Sequence, residues 1–132
     1  MSTLTRLALL FGGASPEHEI SIRSAKNIFE AIPRAQYEVI LIGINPAGQW
    51  FHIEDAQFFQ SGHSITEAGK GLALVPGHPH PFVYLENGQP GPEIEVVFPI
   101  THGPNGEDGT LQGMLRHLNL PFVGPDVLGS AV

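Results

Sequence analysis

The 132-residue sequence contains no cysteine, which excludes both a disulfide framework and a thiolate metal site. Basic residues are scarce: 6 Lys and Arg stand against 13 Asp and Glu, for a net charge of −7. Nucleic-acid affinity comes largely from Lys and Arg neutralising phosphates, so this balance argues against a nucleic-acid partner. Runs of like charge are absent, which leaves no basic arm or acidic tail to explain. No apolar stretch approaches the ~20 residues of a membrane span, so no membrane association is expected. The run Leu7 to Phe11 is too short for a signal-peptide core and lacks a cleavage site, and a cytoplasmic protein is expected. Charged residues are only 14% of the chain, against about a quarter in typical soluble proteins. Either part of the surface is covered by something else, or glycine- and proline-rich loops dilute the charges.

The length suits one domain of the usual roughly 100–200 residues, and the 42% of apolar residues can fill one core. The run from Arg6 to Phe11, closed by Gly12-Gly13, reads as a strand buried on both faces of a parallel sheet. Ser15-Pro16-Glu17-His18-Glu19 carries the marks of a helix start: a capping serine, proline in the first turn, then acids. Ile22, Ala25, Ile28, Phe29 and Ile32 continue at helical spacing until Pro33. Tyr37 to Ile44 is a second buried strand, completing a strand–helix–strand unit with an expected right-handed crossover. Short strands are expected over 49–53, 72–75 and 82–85, as an insertion at the sheet edge, whereas residues 54–70 suggest no regular element. Glu95 to Ile100 is a third buried strand. Leu111, Met114, Leu115 and Leu118 place a helix over 109–118, Pro121 to Gly124 a last short strand, and Pro125 onward the start of another helix. The expected fold is α/β: a Rossmann-like, mostly parallel sheet flanked by helices, with strands over 6–11, 37–44 and 95–100.

Two loops carry candidate chemistry, each between a strand's carboxyl end and a helix, where open α/β sheets bind ligands. The first is Gly12-Gly-Ala-Ser-Pro-Glu-His-Glu19. Its glycines and helix N-terminus could cradle a phosphate, but the G-x-G-x-x-G spacing is missing and Glu17 and Glu19 would repel an anion. Two acids suit an ammonium group better, unless they serve only the helix dipole, worth about 0.3–1 kcal/mol each. The second loop is His102-Gly-Pro-Asn-Gly-Glu-Asp-Gly109. Asp108 can cap the following helix and Glu107 brace the loop, which leaves His102 as the functional candidate. His78 and His80 alternate with prolines and lack a third ligand for a metal. His52, His63 and His117 read as surface residues without partners, so no metal ligand is assigned.

The runs Phe11-Gly-Gly-Ala-Ser-Pro-Glu-His-Glu-Ile-Ser21 and His102-Gly-Pro-Asn-Gly-Glu-Asp-Gly-Thr-Leu-Gln-Gly113 resemble the D-alanine–D-alanine ligase family. The likeness continues through Ser24 to Ile28, Ile42 to Ile44, Gly48 to Trp50 and Leu120 to Gly124, and is weakest between residues 54 and 92. It implies that residues 1–132 form the N-terminal, substrate-binding domain of an ATP-grasp ligase, with the central and C-terminal domains absent. Such ligases phosphorylate one D-alanine carboxylate with ATP. The amine of a second D-alanine then attacks the acyl phosphate, giving a precursor for peptidoglycan and hence for cell-wall biogenesis and cell shape. By motif, Glu17 is the catalytic acid that binds the ammonium of the first D-alanine, His102 lies beside that substrate, and Ile20 and Ser21 line and support the pocket. The resemblance implies ATP and Mg²⁺ as cofactors of the full-length enzyme, held beyond Val132, so that this chain alone is expected to bind neither and to be inactive. A homodimer is expected. Other readings are a stand-alone Rossmann-like ligand-binding module, a self-associating domain, and a ligase joining D-alanine to D-lactate or D-serine.

Overall fold

A strand that is apolar on both sides must be covered on both faces. In the structure, a computed structural model that describes residues 4–13, 18–100 and 115–122, β1 (Thr5–Gly12) meets that condition. Leu7, Leu9 and Phe11 point to one face and Ala8 and Leu10 to the other, and all are at most 1% exposed. The chain continues through α1 (His18–Ala31), β2 (Tyr37–Ile44), β3 (Trp50–Ile53), α2 (Phe58–Ser61), α3 (Ile65–Ala68), β4 (Lys70–Leu74), β5 (Phe82–Tyr84) and β6 (Val96–Ile100). Together the strands make one six-stranded sheet in the order β5-β4-β3-β2-β1-β6.

The two long apolar strands and β6 form the parallel unit. β1 pairs with β2 from Thr5↔Tyr37 to Gly12↔Ile44, and on its other side with β6 from Leu7↔Val96 to Phe11↔Ile100. β3, β4 and β5 add an antiparallel meander on the far side of β2. This meander is the expected insertion of short strands. Beyond β6, the expected last strand is represented by a parallel bridge, Val97↔Phe122.

α1 covers one face of the parallel unit. Its inward positions Ser21 and Ala25 are buried, and Ile22, Ile28 and Phe29 pack beside Leu9, Phe11, Leu41 and Phe98. Pro33 cannot continue the helix. Arg34 then satisfies carbonyls that the helix end leaves open, donating to Ile32 O at 2.7 Å and to Phe29 O at 2.7 Å. Its guanidinium also lies 4.3 Å from the centroid of the Phe29 ring. The opposite face gathers Ala8, Leu10, Ile42, Trp50, Leu72 and Phe82 under Leu115, Leu118 and Leu120. Residues 115–117 are helical, which places the described end of the expected 109–118 helix on this face. The rest of that helix, and the one expected from Pro125, lie outside the described residues.

Residues 54–70 contain two single-turn helices that no periodicity announced. A four-residue helix shows no repeat, because one turn is 3.6 residues. Local chemistry makes them instead. Gly62 ends α2 with φ 78°, and Ser64 caps α3 in a reciprocal box with Glu67.

Candidate functional site

The carboxyl end of the parallel unit is where the two motif loops begin. Phe11 pairs with Ile100 and Gly12 with Ile44, so the last residues of β1, β2 and β6 are level. Their alignment is locked from α1 by Ser21, which is completely buried. Its hydroxyl accepts from Gly12 N at 2.9 Å and donates to the carbonyl of Ile100. One side chain thus joins the end of the strand before the first loop to the end of the strand before the second.

β1 then turns on glycine for a specific reason. Gly12 has φ +98°, and a Cβ there would lie 2.2 Å from Ile44 O. Gly13 follows at φ +109° and donates to Ile44 O at 2.8 Å. Its own carbonyl accepts from His18 Nδ1 at 2.7 Å, since a carbonyl can only accept.

Behind this turn sits α3. Ile65 on α3 rests on Gly12 and Gly43, where a Cβ would meet its side chain at 3.0 and 2.9 Å. Asn45, buried just past β2, holds α3 there. Its amide donates to Thr66 Oγ1 and to Gln49 Oε1, both at 2.9 Å, and its Oδ1 accepts from the backbone of Ala47 and Gln49. Between α1 and α3 lies a cleft of about 430 Å³, lined in part by His18, Glu19, Asn45, Phe58, His63 and Glu67. Hydrogen bonds from the Ser64 backbone and side chain hold the Glu67 carboxyl below its usual range. Among the described residues no three His, Asp or Glu side chains converge on a point that could hold a metal ion.

Of the residues singled out at the two loops, Glu19, Ile20 and Ser21 are described, and Glu19 stands exposed in the first turn of α1. Ser21 is sealed inside, with its hydroxyl committed to the two strand ends, while Ile20 in the first turn of α1 is 49% exposed. Glu17 and His102 lie outside the described residues, as do Glu107 and Asp108. Nothing in the sequence pattern set His18 or Asn45 apart. Asn45, followed by Pro46, Ala47 and Gly48, was legible as a turn, but its bond to Thr66 needs the fold. The histidines read as partnerless include two that have partners. His52 Nδ1 lies 2.9 Å from Tyr84 Oη, and burial pushes its pKa down. His63 Nδ1 lies 3.9 Å from Glu67 Oε1. His52 on β3 meets Tyr84 on β5 across β4, a contact that sequence spacing does not reveal.

The family model for the D-ala D-ala ligase N-terminus matches residues 6–125. D-alanine–D-alanine ligase A of Salmonella typhimurium (strain LT2) is 50% identical over 133 aligned residues, covering 96% of this chain and 36% of the relative. The Escherichia coli (strain K12) ligase A matches with the same identity and coverage, 50%, 96% and 36%. Among solved structures, the D-alanine–D-alanine ligase of Coxiella burnetii superposes with a TM-score of 0.79 at 36% identity, covering 92% of this chain and 35% of that one. A D-Ala:D-Ser ligase from Enterococcus faecalis gives a TM-score of 0.76 at 29% identity, with coverages of 92% and 36%. The chain spans about 36% of the length of the curated relatives it matches. It belongs to the D-alanine–D-alanine ligase family and corresponds to that family's N-terminal domain.

Proposed function

We propose that this chain supplies the first-substrate site of an ATP-dependent ligase that joins two D-alanines into a peptidoglycan precursor. The supporting observation is the Ser21 hydroxyl, which links Gly12 to Ile100 and so starts both motif loops at one edge of the sheet. Neighbouring strands are about 4.8 Å apart, a spacing that lets one small amino acid touch groups from both loops. Glu17 would then offer a carboxylate to the ammonium of the first D-alanine. His102 would donate a hydrogen bond beside it, with Ile20 an apolar wall. Ser21 supports the pocket from behind.

We assign ATP and Mg²⁺ to the parts of the ligase outside the matched third, because phosphoryl transfer needs metal-binding carboxylates and basic clamps around the γ-phosphate. Choice between D-alanine, D-serine and D-lactate as second substrate is assigned there too. The reaction belongs in the cytoplasm, where ATP is available. A homodimer is the expected assembly, and sedimentation velocity tests it: a single monomeric species at high concentration would count against it.

The direct experiment exchanges this chain for the matching N-terminal segment of the Escherichia coli ligase A. ATP-dependent formation of D-alanyl-D-alanine by the hybrid is expected. Glu17→Gln should raise the KM for the first D-alanine and slow turnover while leaving the KM for ATP nearly unchanged. A hybrid whose D-alanine kinetics ignore Glu17→Gln would refute the site.

A further inference from the structure

The turn that leaves β1 is fixed at Gly13 from two directions. Its N–H donates to Ile44 O at 2.8 Å, and its carbonyl accepts from His18 Nδ1 at 2.7 Å. Gly13 sits at φ +109° with open space where a Cβ would be. No side chain anchors this glycine, and the two hydrogen bonds tie its backbone to β2 on one side and to α1 on the other. His18 is also the first residue of α1 and the chain neighbour of Glu17. The two ends of the hydrogen bond thus flank residues 14–17, and the point where the chain leaves the sheet is tied to the point where it enters the helix. From the other side, Ser21 holds Gly12.

We infer that His18 is a positioning residue for the first-substrate site, acting through the Gly13 carbonyl to fix the segment that carries Glu17. The inference rests on the proposed function above. Its chemistry requires a proton on Nδ1. The neutral Nδ1–H ring and the imidazolium both provide that donor, and only the Nε2–H tautomer lacks it. A tethered loop presents its carboxylate already oriented, and a looser one must be ordered when the substrate binds, so the effect belongs in substrate affinity.

In the hybrid ligase, His18→Ala should raise the KM for the first D-alanine roughly three- to tenfold, the net value of one hydrogen bond, without moving the KM for ATP. His18→Asn should restore it, because the asparagine amide nitrogen sits on Cγ as Nδ1 does. The ring is half-buried, so the melting temperature should stay close to that of the parent. If Glu17→Gln raises the D-alanine KM and His18→Ala does not, the positioning role fails and the site stands. If neither variant changes it, both fail. If His18→Asn is as poor as His18→Ala, the hydrogen bond is not the cause. Nitrogen-15 NMR of this chain gives an independent reading: an Nδ1-protonated His18 ring is expected, and a neutral Nε2–H tautomer would overturn the inference.

Discussion

Ser21 and Ile100 are 79 positions apart, yet the Ser21 hydroxyl donates to the Ile100 carbonyl while it accepts from Gly12 N. Removing the hydroxyl takes one hydrogen bond from Gly12 N and one from the Ile100 carbonyl, both behind the candidate site. Ser21→Ala should therefore cost about 2–3 kcal/mol, more than the net value of a single solvent-exposed hydrogen bond. Urea denaturation of the chain measures this, and a loss below about 0.5 kcal/mol would show that the bridge is not needed.

Gly12 and Gly48 separate strain from crowding. Both have positive φ, +98° and +90°, but a Cβ at Gly12 would lie 2.2 Å from Ile44 O, whereas at Gly48 it meets nothing within 4 Å. Gly48→Ala should cost about 1–2 kcal/mol, the penalty of left-handed backbone alone. Gly12→Ala adds a backbone clash, and loss of cooperative folding is expected. Comparable unfolding midpoints for the two variants would refute the distinction.

The single turn of α3 depends on its cap. Ser64→Ala should cost about 1 kcal/mol, and because Ile65 packs on Gly12 and Gly43, amide shifts at those glycines should move with it. The Ser64 hydrogen bonds hold the Glu67 pKa down, so their support for folding is present above the ordinary carboxylate pKa of about 4.3 and lost as pH falls through the lowered one. NMR titration should show the Glu67 pKa rising in Ser64→Ala. Alanine keeps the backbone N–H that donates to Glu67 Oε1, so the rise is partial, and an unchanged pKa would mean that the Ser64 hydroxyl takes no part in the shift.

His52 should make stability fall in mild acid. Burial lowers its pKa most, Glu54 raises it and Lys70 lowers it again. The unfolded chain, with a histidine pKa of about 6.5, therefore takes up the proton first. The contribution of neutral His52 is complete above that pH and is lost as pH falls through the folded value. Denaturation between pH 5 and 7.5 should show a smaller slope in His52→Gln than in the parent. Equal slopes would exclude His52 as the cause.

Elements that bury long apolar faces were readable from the sequence. The strand over 37–44 has the boundaries expected of it, and the helix ending before Pro33 ends at Ala31. The Gly12-Gly13 pair and the acids after it also marked the first loop as a candidate site. The unread parts depend on other information. α2 is closed by the left-handed Gly62 and α3 is opened by the Ser64–Glu67 box, with too few turns to repeat. The roles of Ser21, Asn45 and His52 come from partners 79, 21 and 32 positions away. No local pattern encodes such pairs, because strand order decides which residues meet.

The position of β1 between β2 and β6 sets an order of events in time. Pairing Thr5 with Tyr37 closes a short stretch of chain, whereas pairing Leu7 with Val96 closes a much longer one. Longer loops cost more entropy before any contact repays it. The first strand–helix–strand unit should thus assemble early, and β6 should dock onto it late, bringing the second motif loop with it. The Ser21–Ile100 bond then forms after the folding transition state. Its loss should speed unfolding far more than it slows folding, which stopped-flow measurements on Ser21→Ala can read from the two arms of the chevron. The edge that carries the candidate site should accordingly be the last part of the sheet to be completed.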